Sequence, residues 1–237
     1  MDRIELLGLD ADDTLWESEI FFAETEEKFL TLLGKYSSEE DLDEDLYQKE
    51  TTNLRFFGYG VKSFTLSMIE TAHIASQGRI SSADIETIIS WGKELLQHPV
   101  TLLEGVEETV RLLSQHFNVF IVTKGDLLHQ RSKIEESELD KLVNGFEIMH
   151  EKDPESYLDF LKEREINPEN FLMVGNSLRS DVLPVVSIGG QAIHIPADVT
   201  WDYEKVVEKP LPTSRYTVLK DISELQELLL TDINPDS

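Results

Sequence analysis

The chain has 237 residues, 40% of them hydrophobic, with 47 acidic against 21 basic side chains, a formal net charge of -26 and no cysteine. That is enough apolar content and length for one large domain carrying an insertion. The acidic field excludes nucleic-acid backbones and anionic membranes as partners, and the lack of thiols excludes disulfides, cysteine nucleophiles and Cys-ligated metals.

Residues 4–9 form a short apolar run bounded by polar residues, the pattern of a buried strand in a parallel sheet. The run feeds directly into Asp10-Ala11-Asp12-Asp13-Thr14, and in open α/β sheets ligands bind beyond the carboxyl ends of the strands. In an extended segment Asp10 and Asp12 point to the same side, where two acids repel and require a cation between them. The plainer reading is an acidic cluster in which Asp13 or Thr14 caps a helix. Residues 16–99 contain no clear strand. Their amphipathic spacing predicts helices over 19–36, 42–52, 62–77 and 83–97, and Ser37 with Glu40 and Ser81 with Asp84 have capping-box spacing. The acidic run 39–45 reads as a solvated helix face or start. Between two of these helices, Gly58 and Gly60 stand among Phe56, Phe57 and Tyr59. Here either Arg55 or Lys62 reaches toward a polar ligand, or the aromatics pack the interior around a turn.

Beyond residue 99 the period changes. Strands are expected at 118–122, 171–174 and 192–195. Helices are expected at 106–117 after Gly105, at 154–165 with Asp153 as cap and Pro154 in the first helical position, and at 219–230, with 231–237 fraying. Strands alternating with helices predict a doubly wound, mostly parallel, Rossmann-like α/β sheet built from 1–15 and 100–237, with an all-helical cap domain inserted at 16–99. No apolar run reaches membrane-spanning length, and the N-terminus lacks a leader pattern, so a cytoplasmic protein is expected.

Each later strand ends in a residue that phosphoryl chemistry can use. The strand at 118–122 runs into Thr123-Lys124-Gly125-Asp126, where a hydroxyl and backbone N–H groups can hold phosphate oxygens, and Lys124 faces either the site or solvent. The strand at 171–174 runs into Gly175-Asn176-Ser177 and then Asp181, with Gly175 permitting a tight turn and Asp181 offering an oxygen ligand for Mg²⁺. Lys152 stands just before a helix. Taken singly, Thr123 and Asp181 are ordinary caps and Lys152 is a surface lysine. Because the chain's field repels phosphate, a phosphate site here needs local positive charge from a cation and a lysine.

In this order the four pieces resemble the haloacid dehalogenase-like hydrolase superfamily. Asp10-Ala11-Asp12-Asp13-Thr14 matches its first motif, Thr123 the second, Lys152 the third, and Gly175-Asn176-Ser177 with Asp181 the fourth. The helical segment between the first two motifs is similar to the cap of phosphoglycolate phosphatase-like and pyrimidine nucleotidase-like members. The resemblance implies a Mg²⁺-dependent phosphatase acting on a small phosphorylated metabolite through an aspartyl-phosphate. Asp10 would be the nucleophile, Asp12 the acid and then the base, and Lys152 a second positive charge. Mg²⁺ would be held by Asp10, the backbone carbonyl of Asp12, and Asp181. Thr123, Lys124 and Asn176 would bind substrate, and the cap would select it. Relatives that cleave carbon–halogen bonds typically replace the second Asp, and phosphonate-cleaving relatives lack it too; here it is present as Asp12. Where the fourth motif often has Asp after the Gly, this chain has Asn176, which contributes no charge and bears on metal affinity. The alternatives are a phosphomutase or another phosphoryl-transfer relative, and a non-catalytic phosphate- or protein-binding module. The last would be marked by loss of Asp10, Asp12 or Lys152, none of which is lost.

Overall fold

The structure, a computed structural model, describes residues 4–205 and 216–230. The chain divides into two compact units, one of residues 1–17, 100–124 and 130–237, the other of 18–99 with 125–129.

The second unit is built on α1 (Glu19–Leu33), α2 (Glu39–Phe57), α3 (Val61–Ala75) and α4 (Ser82–Leu96). Ser81 caps α4 as its spacing predicts, accepting the Asp84 N–H at 3.0 Å. At α2 the cap falls one residue later than expected: Ser38, in extended backbone, accepts the Asp41 N–H at 3.3 Å. The next turn then opens with Glu39, Glu40 and Asp41, acids that suit the positive end of a helix. Residues four apart supply the core: Phe29 and Leu33, Leu42 and Leu46, Phe64, Met68 and Ala72. Gly92 allows α4 close to α3, since a Cβ there would stand 2.2 Å from Thr65 Oγ1. The stretch around Gly58 is a turn, and Phe56 and Phe57 do not pack an interior, being 64% and 49% exposed. Lys62 pairs with Asp126 at 2.8 Å, and Arg55 lies over the Phe56 ring.

The first unit is a six-stranded sheet: β1 (Leu6–Leu9), β2 (Asn118–Lys124), β3 (Gly145–Met149), β4 (Phe171–Gly175), β5 (Gln191–His194) and β6 (Tyr216–Val218). All pairings are parallel, in the order β3-β2-β1-β4-β5-β6. The flanking helices are α5 (Val106–Leu113), α6 (Leu127–Glu136), α7 (Pro154–Glu163), α8 (Leu183–Ser187) and α9 (Glu224–Leu230). Period-two alternation sorts the strand residues. Leu7, Leu9, Val119, Ile121, Leu172 and Val174 pack with α5 and α9 residues such as Val110 and Leu225. Leu6, Val122, Phe171 and Met173 pack with Tyr157, Phe160 and Val185 on the other face. Gly8 is required by this close packing: a Cβ would meet the Met173 sulfur at 2.8 Å.

β3, β6, α6 and the last helix depart from the sequence expectation. β3 and β6 were not expected: β3 is interrupted by Glu147 and largely half-buried, and β6 is a three-residue edge strand. α6 buries Gln130 with Ile134 in a polar sequence, leaving almost no apolar stripe to read. The last helix starts at Glu224, because Asp221 turns the chain by accepting the Ser223 N–H at 3.0 Å. Residues 231–237 lie outside the described residues. After β1 the chain builds outward through β2 and β3, then returns to place β4 on the other side of β1. That reversal opens a crevice beyond the carboxyl ends of β1 and β4.

Candidate active site

Asp10 and Gly175 lie at the ends of β1 and β4, tied together where the Asp10 N–H donates to the Val174 carbonyl at 2.8 Å. The chain then turns sharply instead of continuing extended. Asp13 adopts a positive φ of 60°, Leu15 N–H donates to the Ala11 carbonyl at 2.7 Å, and Asp13 N–H to that of Trp16 at 2.7 Å. The turn begins at Asp13, after both aspartates, and the two carboxylates take separate hydrogen-bond partners.

Asp10 is buried. Its Oδ2 accepts the Thr14 hydroxyl at 3.1 Å, and that hydroxyl in turn accepts the Asn176 N–H at 3.0 Å. Its Oδ1 accepts Lys152 Nζ, which also donates to Asp181 Oδ1 at 2.7 Å. Asp181 Oδ2 accepts the Ser177 N–H at 2.9 Å. Lys152, far from being a surface lysine, is 3% exposed. Asp153 caps α7 through the Ser156 N–H at 2.8 Å with Pro154 next, which fixes the chain just after Lys152. Two buried carboxylates thus share one ammonium. Burial, then repulsion from Asp181, pushes the Asp10 carboxyl up to about 7 despite Lys152, and Asp12 adds least. Burial works against the Lys152 ammonium, but Asp10 and Asp181 more than offset it and raise its pKa. The like-charged neighbour that matters most to Asp10 is therefore Asp181, 171 positions along the chain, with Asp12 a smaller contributor.

Asp12 is held by three donors. Its Oδ1 accepts Lys133 Nζ at 2.5 Å and Trp16 Nε1–H at 2.7 Å, and its Oδ2 accepts Gln130 Nε2–H at 2.9 Å. Burial works to raise its carboxyl, but Lys133 outweighs this with help from Gln130 and Trp16 and holds it below the ordinary value. Gln130 also donates to Thr123 Oγ1 at 2.7 Å. One amide therefore links the second carboxylate to the buried threonine at the end of β2.

Lys124, on the residue after Thr123, turns inward: its Nζ donates to Glu204 Oε1 at 2.5 Å and to Ser180 Oγ at 2.8 Å. Burial works to raise the Glu204 carboxyl, but Lys124, Ser177 and Ser180 outweigh it and hold the group below the usual glutamate value. Asn176 lies beside Thr14, and its carbonyl is 2.9 Å from His194 Nε2. Gly175 is not needed for turn geometry, since it ends an extended strand. A Cβ on it would stand 2.2 Å from Asp181 Oδ2, so glycine lets Asp181 approach.

Gln130, Lys133, Ser180 and Glu204 carry no motif signal. The i, i+3 spacing of Gln130 and Lys133 places both on one helix face, which is legible once α6 is known. Nothing in the sequence marks Glu204, which sits in the short 3₁₀ turn Asp202–Glu204.

A divalent cation fits this donor set. Among the described residues no three acidic, His or Cys side chains gather to enclose a metal, but Asp10 and Asp181 leave one negative charge unmatched by Lys152. Each of their oxygens accepts one hydrogen bond from the chain and has capacity for another ligand.

The model of the haloacid dehalogenase-like hydrolase family matches residues 4–189. The chain belongs to that family. It is similar to the crystal structure of a haloacid dehalogenase-like family hydrolase from Xanthomonas campestris, with 41% identity, a TM-score of 0.84, and coverage of 95% of this chain and 90% of that one. A glyceraldehyde 3-phosphate phosphatase from Pyrococcus furiosus is 28% identical over 133 residues, which is 53% of each chain, so the chain spans about half the length of that curated relative. A 2-haloacid dehalogenase from Pseudomonas syringae pv. tomato shares the fold at 19% identity and a TM-score of 0.61, over 95% of this chain and 98% of that one. Family membership and the shared fold leave the reaction to be argued from the site.

Proposed function

We propose that this haloacid dehalogenase-like hydrolase is a Mg²⁺-dependent phosphatase that hydrolyses a small phosphate monoester through an aspartyl-phosphate on Asp10. The observation that carries the reading is the segregation of the two first-motif carboxylates. Asp10 shares Lys152 with Asp181, while Asp12 is held by Lys133, Gln130 and Trp16. A nucleophile and an acid/base must differ in environment to differ in role, and these two do. The presence of Asp12 favours phosphate esters over carbon–halogen bonds, and the phosphatase relative supports the same choice.

Asp10 attacks phosphorus, the bond to the leaving alcohol breaks, and Asp12 supplies the proton that alcohol needs. Water then attacks the aspartyl-phosphate, Asp12 takes its proton, and Asp10 is released with inorganic phosphate. Lys152 orients Asp10 and places positive charge against the transferring group. Thr123, with Asn176, is assigned to the phosphate oxygens. Held by Asp10, Asp181 and the backbone carbonyl of Asp12, Mg²⁺ would supply positive charge offsetting repulsion between the carboxylate and the phosphate. Because the structure holds Asp12 ionised against Lys133, the first half-reaction requires that pair to loosen and Asp12 to take up a proton from solvent as substrate arrives. A catalytic role for the sheet unit, with residues 18–99 as cap, belongs to the same proposal, as does a cytoplasmic setting.

The test is release of p-nitrophenol from p-nitrophenyl phosphate with Mg²⁺ and with chelator, alongside halide release from a 2-haloacid. Metal-dependent phosphatase turnover is expected, reduced by at least ~10³-fold in Asp10→Asn. Halide release in place of phosphatase turnover, or near-native turnover in Asp10→Asn, would refute the reading.

A further inference from the structure

Beside Asp181, three donors converge on one carboxylate that the proposed reaction does not use. Glu204 Oε1 accepts Lys124 Nζ at 2.5 Å, and its Oε2 accepts the hydroxyls of Ser177 at 2.5 Å and Ser180 at 2.7 Å. The rest of the network directs these protons. Ser177 Oγ already accepts the Ser180 N–H at 3.0 Å, and Ser180 Oγ accepts Lys124 Nζ at 2.8 Å, so both hydroxyl protons point to the glutamate. The three groups together present donors only, the pattern that recognises an oxyanion.

The donors and the acceptor have different standing in the fold. Lys124 ends β2, Ser177 caps the π-helical turn Leu178–Val182 after β4, and Ser180 lies within that turn. Tyr157 braces the turn by donating its hydroxyl to the Ser180 carbonyl at 3.0 Å. Glu204 instead arrives from outside the sheet on one 3₁₀ turn. Arg179 holds it there, donating to the Tyr203 carbonyl at 2.9 Å and lying 3.7 Å from that ring.

We propose that Lys124, Ser177 and Ser180 form an oxyanion-binding subsite next to Asp181. Glu204 fills it as a tethered anion, so the chain favours phosphate esters without a second anionic group near the phosphate. A carboxylate on the ester must either displace Glu204 or lie against its charge. The substrate consequence rests on the phosphatase reading, whereas the subsite does not.

Two measurements decide it. Glycolate is titrated by NMR into metal-free native protein, Glu204→Ala, the shape-conserving Glu204→Gln, and Glu204→Ala combined with Lys124→Met. Glu204→Ala is expected to bind glycolate at least ~10-fold more tightly than native protein, with the gain lost in the double variant. If the alanine variant does not fold, Glu204→Gln carries the same comparison. Equal glycolate binding by native protein and the folded variant overturns the subsite. In the second measurement, the ratio of kcat/KM for phosphoglycolate to that for ethyl phosphate, which lacks the carboxylate, is expected to rise at least ~10-fold in the folded variant. A merely structural brace would slow both esters alike and leave the ratio unchanged, which overturns the specificity claim. Turnover of neither ester by any form removes the phosphatase reading alone, and glycolate binding still decides the subsite.

Discussion

Replacing Asp10 by Asn should make the metal-free protein more stable at pH 8, although it removes an ion pair from the core. The Asp10 carboxyl rises from 3.8 to about 7 because burial and Asp181 outweigh Lys152. A shift of roughly three pH units at ~1.4 kcal/mol each means that ionising Asp10 costs the fold about 4 kcal/mol at pH 8. The sign follows from the raised value. The favourable contribution of the protonated group is complete below 3.8 and is lost as pH climbs through about 7. Asparagine resembles the protonated form and leaves Lys152 paired with Asp181 at 2.7 Å. The expected gain is thus up to about 4 kcal/mol at pH 8, shrinking toward zero near pH 4, and even ~1 kcal/mol moves the unfolding midpoint by about 2–4 °C in a chain of this length. Thermal unfolding followed by circular dichroism in chelator, from pH 4.5 to 8.5, gives the comparison. Adding Mg²⁺ should then stabilise the native protein at pH 8 and leave the variant nearly unchanged. A variant less stable than native at pH 8, or a difference constant across pH, would show that Asp10 is not a strained carboxylate awaiting a cation.

Two other substitutions probe the site from its neighbours. Gly175→Ala puts a methyl 2.2 Å from Asp181 Oδ2; displacement of Asp181 should weaken Mg²⁺ affinity at least ~10-fold by calorimetry, with a stability loss of about 1–3 kcal/mol. Unchanged affinity would remove Asp181 from the metal assignment. Lys133→Met removes the cation that holds the Asp12 carboxyl down; the basic limb of kcat/KM against pH for ethyl phosphate, whose poor leaving group needs a proton, should move to higher pH. A limb that stays in place would mean that Asp12 does not donate that proton.

What was legible in the sequence followed from local pattern. The runs at 4–9, 118–122, 171–174 and 192–195 are apolar because both faces of a central parallel strand are covered, so they announce β1, β2, β4 and β5. β3 and β6 lie at the two edges of the sheet and lack that signature. Residues at strand ends inherit their placement from the strands, and this is why Asp10, Thr123 and the turn after Gly175 could be read as neighbours. Side-chain pairing across loops has no such carrier. The period-two rule relates Asp10 to Asp12 but does not name their partners, which come from α6 for Asp12 and from Lys152 for Asp10.

Separate partners explain how one motif can hold two carboxylates in different electrostatic states. With one neutralising charge between them, Asp10 and Asp12 would compete for it, and the second would depress the usefulness of the first. Instead α6 takes Asp12, with Lys133 and Gln130 three residues apart on one face, and Asp10 is left to Lys152. The raised Asp10 and the lowered Asp12 are opposite shifts on residues two positions apart. The division of roles proposed for the pair therefore depends as much on α6, the helix with no apolar stripe to reveal it, as on the motif itself.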